Sequence, residues 1–284
     1  MNYQMLAVDM DGTVLNSKKE ITPLTAEAIR RALEEGYEVL FSTGRNIVEV
    51  QEQLALFPEM RYVICCSGGV VKDLKNGTDL HHVTLDHDLA KRVIQAAEGM
   101  DVNIVYFIGD ELYADVNVRG RMEHYNCQCF HNLYETCATW MEDPASMMET
   151  MPDRIRKINL FFHDHEEYLR MGEILDRMGI NHPSGIPNNY EISPAGVSKA
   201  VGIQVLCDHL GLSVEQAIAC GDEGNDREMI LAAGLGVAMG NASEPIKAIA
   251  DVVVADCDHD GVAEVIETYL GKPVLKPPYA GERT

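Results

Sequence analysis

Short apolar runs that end in small, polar or acidic residues recur along this chain. They span residues 5–8, 39–41, 63–66, 217–220, 236–239 and 252–255. Helix-like stretches separate most of them, over residues 25–35, 47–56, 198–210, 225–233 and 244–250. Short apolar strands that alternate with amphipathic helices indicate a parallel sheet covered on both faces. The sequence therefore predicts an α/β fold whose polar strand ends share one edge of the sheet.

Two carboxylates follow the first apolar run, in the order Asp9, Met10, Asp11, Gly12 and Thr13. In an open α/β sheet, ligands bind outside the carboxyl ends of the strands. A carboxylate pair there can bind a hard cation and attack an electrophile. The same residues also suit an Asx turn with a helix cap, since Asp and Gly are ordinary turn residues. The other strand ends favour chemistry, because together they supply a complete phosphoryl-transfer site.

The acidic residues at these ends have separate predicted roles. Asp9 is the predicted nucleophile, which attacks phosphorus to give an aspartyl-phosphate. Asp11 is predicted to protonate the leaving alcohol and then to take a proton from the hydrolytic water. Mg²⁺ prefers octahedral oxygen ligands, which the Asp9 side chain, the Asp11 main-chain carbonyl and the Asp222 carboxylate can provide. Asp226, one turn beyond Asp222, is expected to lie behind these ligands.

A transferring phosphoryl group also needs hydrogen-bond donors that neutralise its charge. Each candidate has a plainer reading: residues 43–45 as a strand-to-helix turn, the lysine as a solvated first-turn residue, and residues 221–226 as a flexible acidic loop. Because these segments occur at the ends of successive strands, the interpretation that they together form one phosphoryl-transfer site is favoured. The candidate phosphate-binding groups are Thr43, the Gly44 amide, the Met10 amide, Lys199 and the Asn225 amide.

Four segments of the chain resemble the motifs of a known superfamily. DMDGT, STGR, VSKA and GDEGND resemble the four motifs of the haloacid dehalogenase superfamily. VAMGNASEPIK, ADVVV and DGVAEVI resemble the Cof-type subfamily of its phosphatases, and the resemblance covers roughly residues 3–85 and 188–270. It implies a Mg²⁺-dependent phosphatase with a Rossmann-like core and a mobile cap inserted between the second and third motifs.

The segment after the third strand departs from the subfamily pattern. Cof-type sequences commonly have Asn-Gly there, whereas this chain has Ser67 and Gly68. Ser67 can still donate a hydrogen bond, but its reach differs. Arg45, Ser67 and Gly68 are expected at the mouth of the substrate site.

The middle of the chain lacks the strand-end pattern. It contains candidate helices over residues 87–99, 120–126 and 166–178, a hairpin over 103–116 and a strand over 155–162. This mixture fits the large α+β cap of the Cof-type enzymes. The expected division is therefore a core of residues 1–85 and 188–284 with an inserted cap of residues 86–187.

The net charge of -22 limits the partners of the chain. Binding to nucleic acid or to an anionic membrane needs a basic face, so neither is expected. Arg45, Lys199 and bound Mg²⁺ must instead create a locally positive mouth for an anionic substrate. No apolar stretch reaches membrane-spanning length, and the first strand begins at about Tyr3, which leaves no room for a secretory signal. We expect a cytoplasmic protein that is a monomer or a small homo-oligomer.

Eight cysteines raise the question of disulfide or metal sites. A cytosolic location favours reduced thiols, and Cys in apolar runs behaves as a small hydrophobe. This interpretation applies to Cys65, Cys66, Cys207 and Cys220. The cluster His124, Cys127, Cys129 and His131 resembles a zinc site, but its spacing matches no common structural pattern, so core or surface roles are predicted. The segment His163, Asp164 and His165 is predicted to be an exposed loop.

These features together predict a two-domain phosphohydrolase that acts on a small phosphorylated metabolite, with a sugar phosphate as the expected substrate. A phosphomutase could use the same Asp9 and Asp11, but it must return the phosphoryl group before water takes it. A catalytically idle phosphometabolite-binding protein is the alternative outside enzymes. The presence of both Asp9 and Asp11 argues against a pure binding protein, because binding alone would not need both carboxylates.

Overall fold

The computed structural model describes residues 1–182 and 186–274, which contain thirteen strands and ten α-helices. The strands are β1 (Met5–Val8), β2 (Glu38–Ser42), β3 (Tyr62–Cys65), β4 (Val70–Asp73), β5 (Thr78–His82), β6 (Val102–Ile108), β7 (Glu111–Asp115), β8 (Ala138–Met141), β9 (Ile155–Phe162), β10 (Asn189–Ile192), β11 (Ala217–Gly221), β12 (Leu235–Ala238) and β13 (Val252–Val253). The helices are α1 (Pro23–Glu34), α2 (Gln51–Leu54), α3 (His87–Ala96), α4 (His131–Cys137), α5 (Ser146–Thr150), α6 (His165–Met178), α7 (Lys199–Leu210), α8 (Arg227–Ala232), α9 (Glu244–Ile249) and α10 (Gly261–Tyr269). Among the described residues, every helix is too short or too polar to span a bilayer.

The described residues divide into two units. The first comprises Met1–Arg45, Glu52–His82 and the described residues from Val197 onward, and the second comprises Asn46–Gln51 and the described residues from Val83 to Gly196. The second unit differs from the expected segment 86–187 in two main respects: it includes Asn46–Gln51, which were expected in the core, and its second boundary lies at Gly196. There β10 pairs antiparallel with β9, so its backbone hydrogen bonds join it to the sheet of the second unit.

The sheet of the first unit has eight strands in the order β13-β12-β11-β1-β2-β3-β4-β5. The six strands from β13 to β3 are parallel neighbours, whereas β4 and β5 extend the edge as antiparallel strands. The predicted α/β fold with a parallel core is confirmed. The antiparallel edge was not predicted, because its outer strand β5 is only partly buried and lacks an apolar run.

The register of the central strand β1 with its two neighbours determines where the three strands end relative to one another. All four of its residues are buried, as expected for a parallel strand covered on both faces. Val8, its last residue, pairs with Phe41 of β2 on one side and Cys220 of β11 on the other. Helix α7 packs Ile203 and Leu206 into the same core. The three strands therefore end at one level, and the residues that follow them are brought together.

The second unit has a five-stranded sheet in the order β10-β9-β6-β7-β8, with β7 and β8 parallel and the other pairs antiparallel. One face is covered by α3 and α6, which contribute Ala90, Val93, Met171 and Leu175 to a buried cluster with the strands. Mixed α and β structure was expected in this region. The unit accordingly has a core of its own.

The helix predicted over residues 120–126 does not form. The segment consists of successive turns in which His124 N donates to Arg121 O at 3.0 Å and Asn126 N donates to Glu123 O at 3.2 Å. Gly120 and Asn126 bound these turns in left-handed conformations, with φ of 82° and 57°. Helix propagation requires right-handed backbone and bonds between residues four apart, so these turns replace it.

A tight turn after β3 controls the position of α7. Cys66, Ser67 and Gly68 have φ values of 51°, 53° and 90°, so three successive residues are left-handed. A Cβ on Gly68 would lie 1.8 Å from the carbonyl oxygen of Ser198 and 3.1 Å from the amide nitrogen of Lys199. Only glycine therefore permits the first residue of α7 to lie against this turn.

We predict that Gly68→Ala lowers the free energy of unfolding by about 3 kcal/mol or more. A left-handed alanine costs roughly 1–2 kcal/mol, and the clash with Ser198 adds a further cost of overpacking. Urea unfolding of the purified variant measures the change. Gly77→Ala is the matched control, because Gly77 also has a left-handed φ of 66° but nothing lies within 4 Å of its added Cβ. Equal losses in the two variants would contradict the steric argument.

Candidate active site

The carboxyl ends of four parallel strands meet at one edge of the first sheet. Asp9 follows β1, Thr43 follows β2, Ser67 lies two residues beyond β3, and Asp222 follows β11. Asp9, Thr43 and Asp222 are almost fully buried, at 6%, 2% and 6% exposure. Buried carboxylates need compensating contacts, so their neighbours define the chemistry of the site.

The loop after β1 is folded tightly against Asp222. Asp9 N donates to Cys220 O at 2.9 Å, which continues the parallel pairing beyond the strand. Gly12 is left-handed with φ of 81°, and a Cβ there would lie 2.3 Å from Oδ2 of Asp222. Thr13 donates its hydroxyl to Oδ1 of Asp222 at 2.9 Å. Gly12 thus leaves room for the Asp222 side chain, and Thr13 orients it.

Lys199 is the centre of a fully buried charge cluster. Its ammonium donates to Asp9 Oδ1 and to Asp226 Oδ1, the latter at 2.6 Å. Lys199 and Asp226 have no exposed surface at all. The side chain of Ser198 caps α7 by accepting from Val201 N, so the lysine occupies the first helical residue. The helix start thereby delivers the ammonium to the strand ends.

Asp226 organises the loop that carries Asp222. Its Oδ2 accepts hydrogen bonds from Asp222 N at 2.9 Å and from Glu223 N at 3.1 Å, while its Oδ1 accepts from Lys199. A Cβ on Gly221 would lie 2.4 Å from Cγ of Asp226, so the strand end must be glycine. Both oxygens of Asp226 are engaged within the protein, which makes it a positioning residue.

The cluster carries more negative than positive charge. Asp9, Asp222 and Asp226 each place an oxygen within 4.8 Å of the others, and Lys199 is the ammonium between two of them. Burial raises the pKa of Asp9 to about 7, with Asp226 and Asp222 adding to the rise and Lys199 opposing it. Burial also raises the pKa of Asp222 to about 6, although the Thr13 hydroxyl favours its ionised form.

The lysine itself stays charged. Burial alone would lower the pKa of Lys199, but attraction to Asp9 and Asp226 outweighs it and raises the pKa above its ordinary value. A second cation would therefore be favoured beside Asp9 and Asp222, whose oxygens are hard donors of the kind that Mg²⁺ prefers. The donor set fits a magnesium ion better than a softer metal, since it offers no nitrogen or sulfur.

Asp11 lies in the opposite electrostatic environment. Arg45 donates two hydrogen bonds to its carboxylate, from Nε at 2.9 Å and from Nη2 at 2.8 Å, and Lys19 Nζ donates a third at 2.9 Å. Burial opposes ionisation of Asp11, but these contacts outweigh it and lower the pKa of the carboxyl. In this arrangement Asp11 is a carboxylate. Donating a proton would require the Arg45 and Lys19 contacts to loosen.

The predicted phosphate-binding groups differ in the hydrogen bonds that they already make within the protein. The Met10 amide has no acceptor among the described residues, although Met10 is fully buried. Thr43 Oγ1 accepts from Arg45 N at 3.1 Å, and Thr43 O accepts from Ser67 N at 2.9 Å, so this loop is firmly held. Gly44 leaves room for Ser67, whose Oγ would lie 3.3 Å from an added Cβ. These groups share the edge with Asp9.

Asn225 differs from the other candidates. It lies in the single 3₁₀ turn Gly224–Asp226, is exposed, and makes no hydrogen bond within the described part of the chain. The turn is fixed by its two flanking acidic residues, and Asn225 contributes nothing to the buried cluster. Its role in phosphate binding stays a prediction.

Three residues were missed as site residues by the sequence reasoning. Lys19 contacts Asp11, Thr13 orients Asp222, and Asn241 donates to Asp222 Oδ2 at 3.2 Å and to Gly12 O at 2.8 Å. Asn241 ends a strand-tip segment, so the pattern that selected the other residues could have selected it. Lys19 has a weaker signal, a basic residue soon after the acidic motif in a strongly acidic chain.

A parallel sheet with a lysine and several carboxylates at the carboxyl ends of its strands defines an α/β enzyme core. The sequence model of the haloacid dehalogenase-like hydrolases matches residues 6–266, and the chain belongs to this family. The predicted superfamily and hydrolase class are confirmed.

Individual relatives agree with this assignment over nearly the whole chain. The phosphatase YwpJ of Bacillus subtilis (strain 168) is 29% identical over 94% of this chain and 100% of its own length. The 5-amino-6-(5-phospho-D-ribitylamino)uracil phosphatase YitU of the same strain is 28% identical over 94% of this chain and 97% of its own. The crystal structure of a haloacid dehalogenase-like hydrolase from Bacteroides thetaiotaomicron superposes with a TM-score of 0.84 at 28% identity, covering 94% of this chain and 99% of that one.

Proposed function

We propose that this protein is a Mg²⁺-dependent phosphatase of the cytoplasm that removes phosphate from a small phosphorylated metabolite through an aspartyl-phosphate. The observation that carries the proposal is the buried Asp9 at the end of β1, bound to Lys199, with Asp222 alongside and Asp11 two residues further. Both relatives named above are phosphatases, which supports the same reaction type.

The first chemical step assigns the bond changes to Asp9 and Asp11. A carboxylate oxygen of Asp9 attacks phosphorus in line with the ester oxygen, and the phosphorus–ester oxygen bond breaks with its electron pair leaving on the alcohol oxygen. Asp11, in its protonated form, supplies the proton that makes the alcohol a good leaving group. The Met10 amide, the Thr43 hydroxyl and Lys199 are the donors proposed for the phosphoryl oxygens.

The second step regenerates the enzyme. Asp11, now a carboxylate, takes a proton from water while the water oxygen attacks the phosphorus of the aspartyl-phosphate. The phosphorus–Asp9 bond breaks and its electron pair returns to the Asp9 carboxylate. The bonds from Arg45 and Lys19 favour the ionised Asp11 that this step requires. Hydrolysis, unlike the mutase reaction, ends with release of inorganic phosphate.

The residues proposed to hold Mg²⁺ are Asp9, Asp222 and the main-chain carbonyl of Asp11. When bound, the ion would neutralise charge on the phosphoryl group and fix its orientation. Hydrogen bonds from Thr13 and Asn241 orient Asp222, as the outer contacts of metal ligands usually do. The excess of buried carboxylates over ammonium groups supports this assignment.

The proposed substrate class is a small phosphate ester, with a sugar phosphate as the specific proposal. The name of YitU specifies a phosphorylated ribityl compound, which supports small polyhydroxylated esters as a class. A screen of phosphorylated metabolites, ranked by kcat/KM, tests the proposal directly. Release of phosphate carrying oxygen from labelled water is the expected result, whereas isomerised ester formed faster than phosphate would identify a mutase.

We predict that Asp9→Asn keeps the fold, because Asp226 still pairs with Lys199, but lowers kcat by at least about 10²-fold, because an amide cannot accept the phosphoryl group. Phosphate release under saturating substrate measures the loss, and circular dichroism checks the fold. Asp153→Asn, the same change at an exposed residue, should leave activity unaltered. Retention of more than about a tenth of the activity by the Asp9 variant would rule out the covalent route.

We predict that activity is lost in EDTA and restored by Mg²⁺ but poorly by Ca²⁺, which prefers more ligands and looser geometry. Asp222→Ala should raise the Mg²⁺ concentration needed for half-maximal activity at least about tenfold. A metal titration of phosphate release gives both values. Glu228→Ala provides the control, an exposed acidic residue in the following helix. Full activity in EDTA would remove metal from the mechanism.

We predict that Asp11→Asn slows hydrolysis of an alkyl phosphate far more than that of an aryl phosphate. Only the poor alcohol leaving group needs a proton in the transition state, and acid catalysis of this kind contributes typically 10²–10⁴-fold. Rates of both esters with the variant and the unaltered enzyme give the comparison. Equal losses on the two esters would show that Asp11 acts mainly through its contacts with Arg45 and Lys19.

A further inference from the structure

Three side chains from separate segments of the second unit converge outside the candidate active site. Asp101 precedes β6, His124 lies in the turns after β7, and His163 follows β9. One potential ligand atom from each lies within 4.8 Å of the other two. Asp101 and His163 are exposed and His124 is half-buried, so an ion from solvent can reach them.

The hydrogen bonds of the cluster orient the two imidazoles. His163 Nδ1 lies 2.7 Å from the carbonyl oxygen of His124, which accepts only, so Nδ1 carries a proton and Nε2 is the nitrogen available to a metal. Histidine ligands of metals almost always donate their other ring N–H in this way. His124 Nε2 lies 2.6 Å from Asp101 Oδ2, so an imidazole nitrogen and a carboxylate oxygen already face each other.

Hydrogen bonds to the backbone hold the segments of the cluster beside one another. The two imidazole rings stack with centroids 3.8 Å apart and planes 8° from parallel. Asn126 ties the turns to the end of β9 by donating to Phe162 O at 2.9 Å. Glu167 accepts from Asp101 N at 2.7 Å and so fixes the third segment.

The charge state of the cluster favours a cation. Burial opposes ionisation of Asp101, but hydrogen bonds from His124 and Tyr125 outweigh it and lower the pKa of its carboxyl. The two imidazole rings lie beside this carboxylate, stacked 3.8 Å apart. An ionised carboxylate beside neutral imidazole nitrogens is a ligand set for divalent transition metals.

The two histidine-containing segments of the sequence, residues 124–131 and 163–165, each contribute only part of their side chains to the cluster. From the first, Cys127 is fully buried, and burial raises the pKa of its thiol to about 11, which makes a thiolate ligand unfavourable. From the second, His165 turns away, with Nδ1 bonded to Asn188 and its ring stacked on Tyr168. One histidine of each motif is left in the cluster, so spacing along the chain could not reveal it.

We propose that Asp101, His124 and His163 bind one divalent transition-metal cation of the Zn²⁺ class, which cross-links three segments of the second unit. The cation takes the place of the proton shared by His124 and Asp101, and these atoms separate from 2.6 Å to roughly 3.3 Å, the spacing of tetrahedral ligands about 2.0–2.1 Å from zinc. The imidazole rings must turn out of their parallel stack, because their lone pairs lie in the ring planes and have to converge on one ion, and water completes the coordination. This site is independent of the proposed phosphatase chemistry.

The test is a Zn²⁺ titration of the intact chain by calorimetry in excess Mg²⁺, which occupies carboxylate-only sites. His124→Ala and His163→Ala should each weaken Zn²⁺ binding at least about tenfold. His165→Ala is the matched control, because it removes a neighbouring exposed histidine that does not join the cluster. Zn²⁺ should also raise the melting temperature of the unaltered protein and of His165→Ala, but not of the two cluster variants.

Spectra of the unaltered protein make the outcome independent of variant folding. Co²⁺ at a tetrahedral nitrogen–oxygen site absorbs visibly, and Zn²⁺ should shift the imidazole nuclear magnetic resonances of His124 and His163 ahead of those of His165. Resonances of His124 and His163 that do not respond to Zn²⁺ would overturn the proposal. Equal Zn²⁺ affinity in His163→Ala and His165→Ala would overturn it as well, whether or not the phosphatase proposal holds.

Discussion

The buried ammonium of Lys199 is the interaction on which the candidate active site depends. It joins a carboxylate from the β1 end to one from the loop after β11, two segments separated by most of the chain. Removing one partner from a buried ion pair typically costs 3–5 kcal/mol, because the charge left behind is uncompensated. Lys199 therefore holds Asp9 and Asp226 in place, and Asp226 in turn holds the loop of Asp222.

The position of Lys199 accounts for otherwise costly backbone features. The first residue of α7 reaches the strand ends only because Gly68 leaves room for the Ser198 carbonyl, and Gly202 lets the helix approach Ile64 of β3. The turn that provides Gly68 also holds Ser67 in a left-handed conformation with φ of 53°. Asparagine tolerates that conformation better than serine, which gives a physical reason for the Asn-Gly common in Cof-type sequences.

The sequence predicted the parts of the structure that follow from strand periodicity. Residues after buried parallel strands must meet at one edge, so Asp9, Thr43 and Asp222 could be placed together without coordinates. Contacts made by long side chains across loops could not be predicted, as with Lys19 on Asp11. Nor could β10, whose pairing partner is set by the second sheet and not by an apolar run. The pairing of His124 with His163 likewise depends on turns where a helix was expected.

Asp9 and Asp11 lie two residues apart in opposite electrostatic environments. Asp9 is buried among carboxylates with Lys199 as its cation, and its pKa is raised to about 7, whereas Asp11 has Arg45 and Lys19 and its pKa is lowered. The proposed first step needs the reverse, an ionised nucleophile and a protonated acid. A cation bound beside Asp9 would favour the ionised form of the nucleophile. A phosphate dianion that attracts Arg45 and Lys19 away from Asp11 would favour the protonated form of Asp11. The charge of the substrate would then itself produce the acid that the first step needs. In the proposed mechanism, Arg45 and Lys19 would thus couple binding of the phosphate to the protonation of Asp11 that cleavage requires.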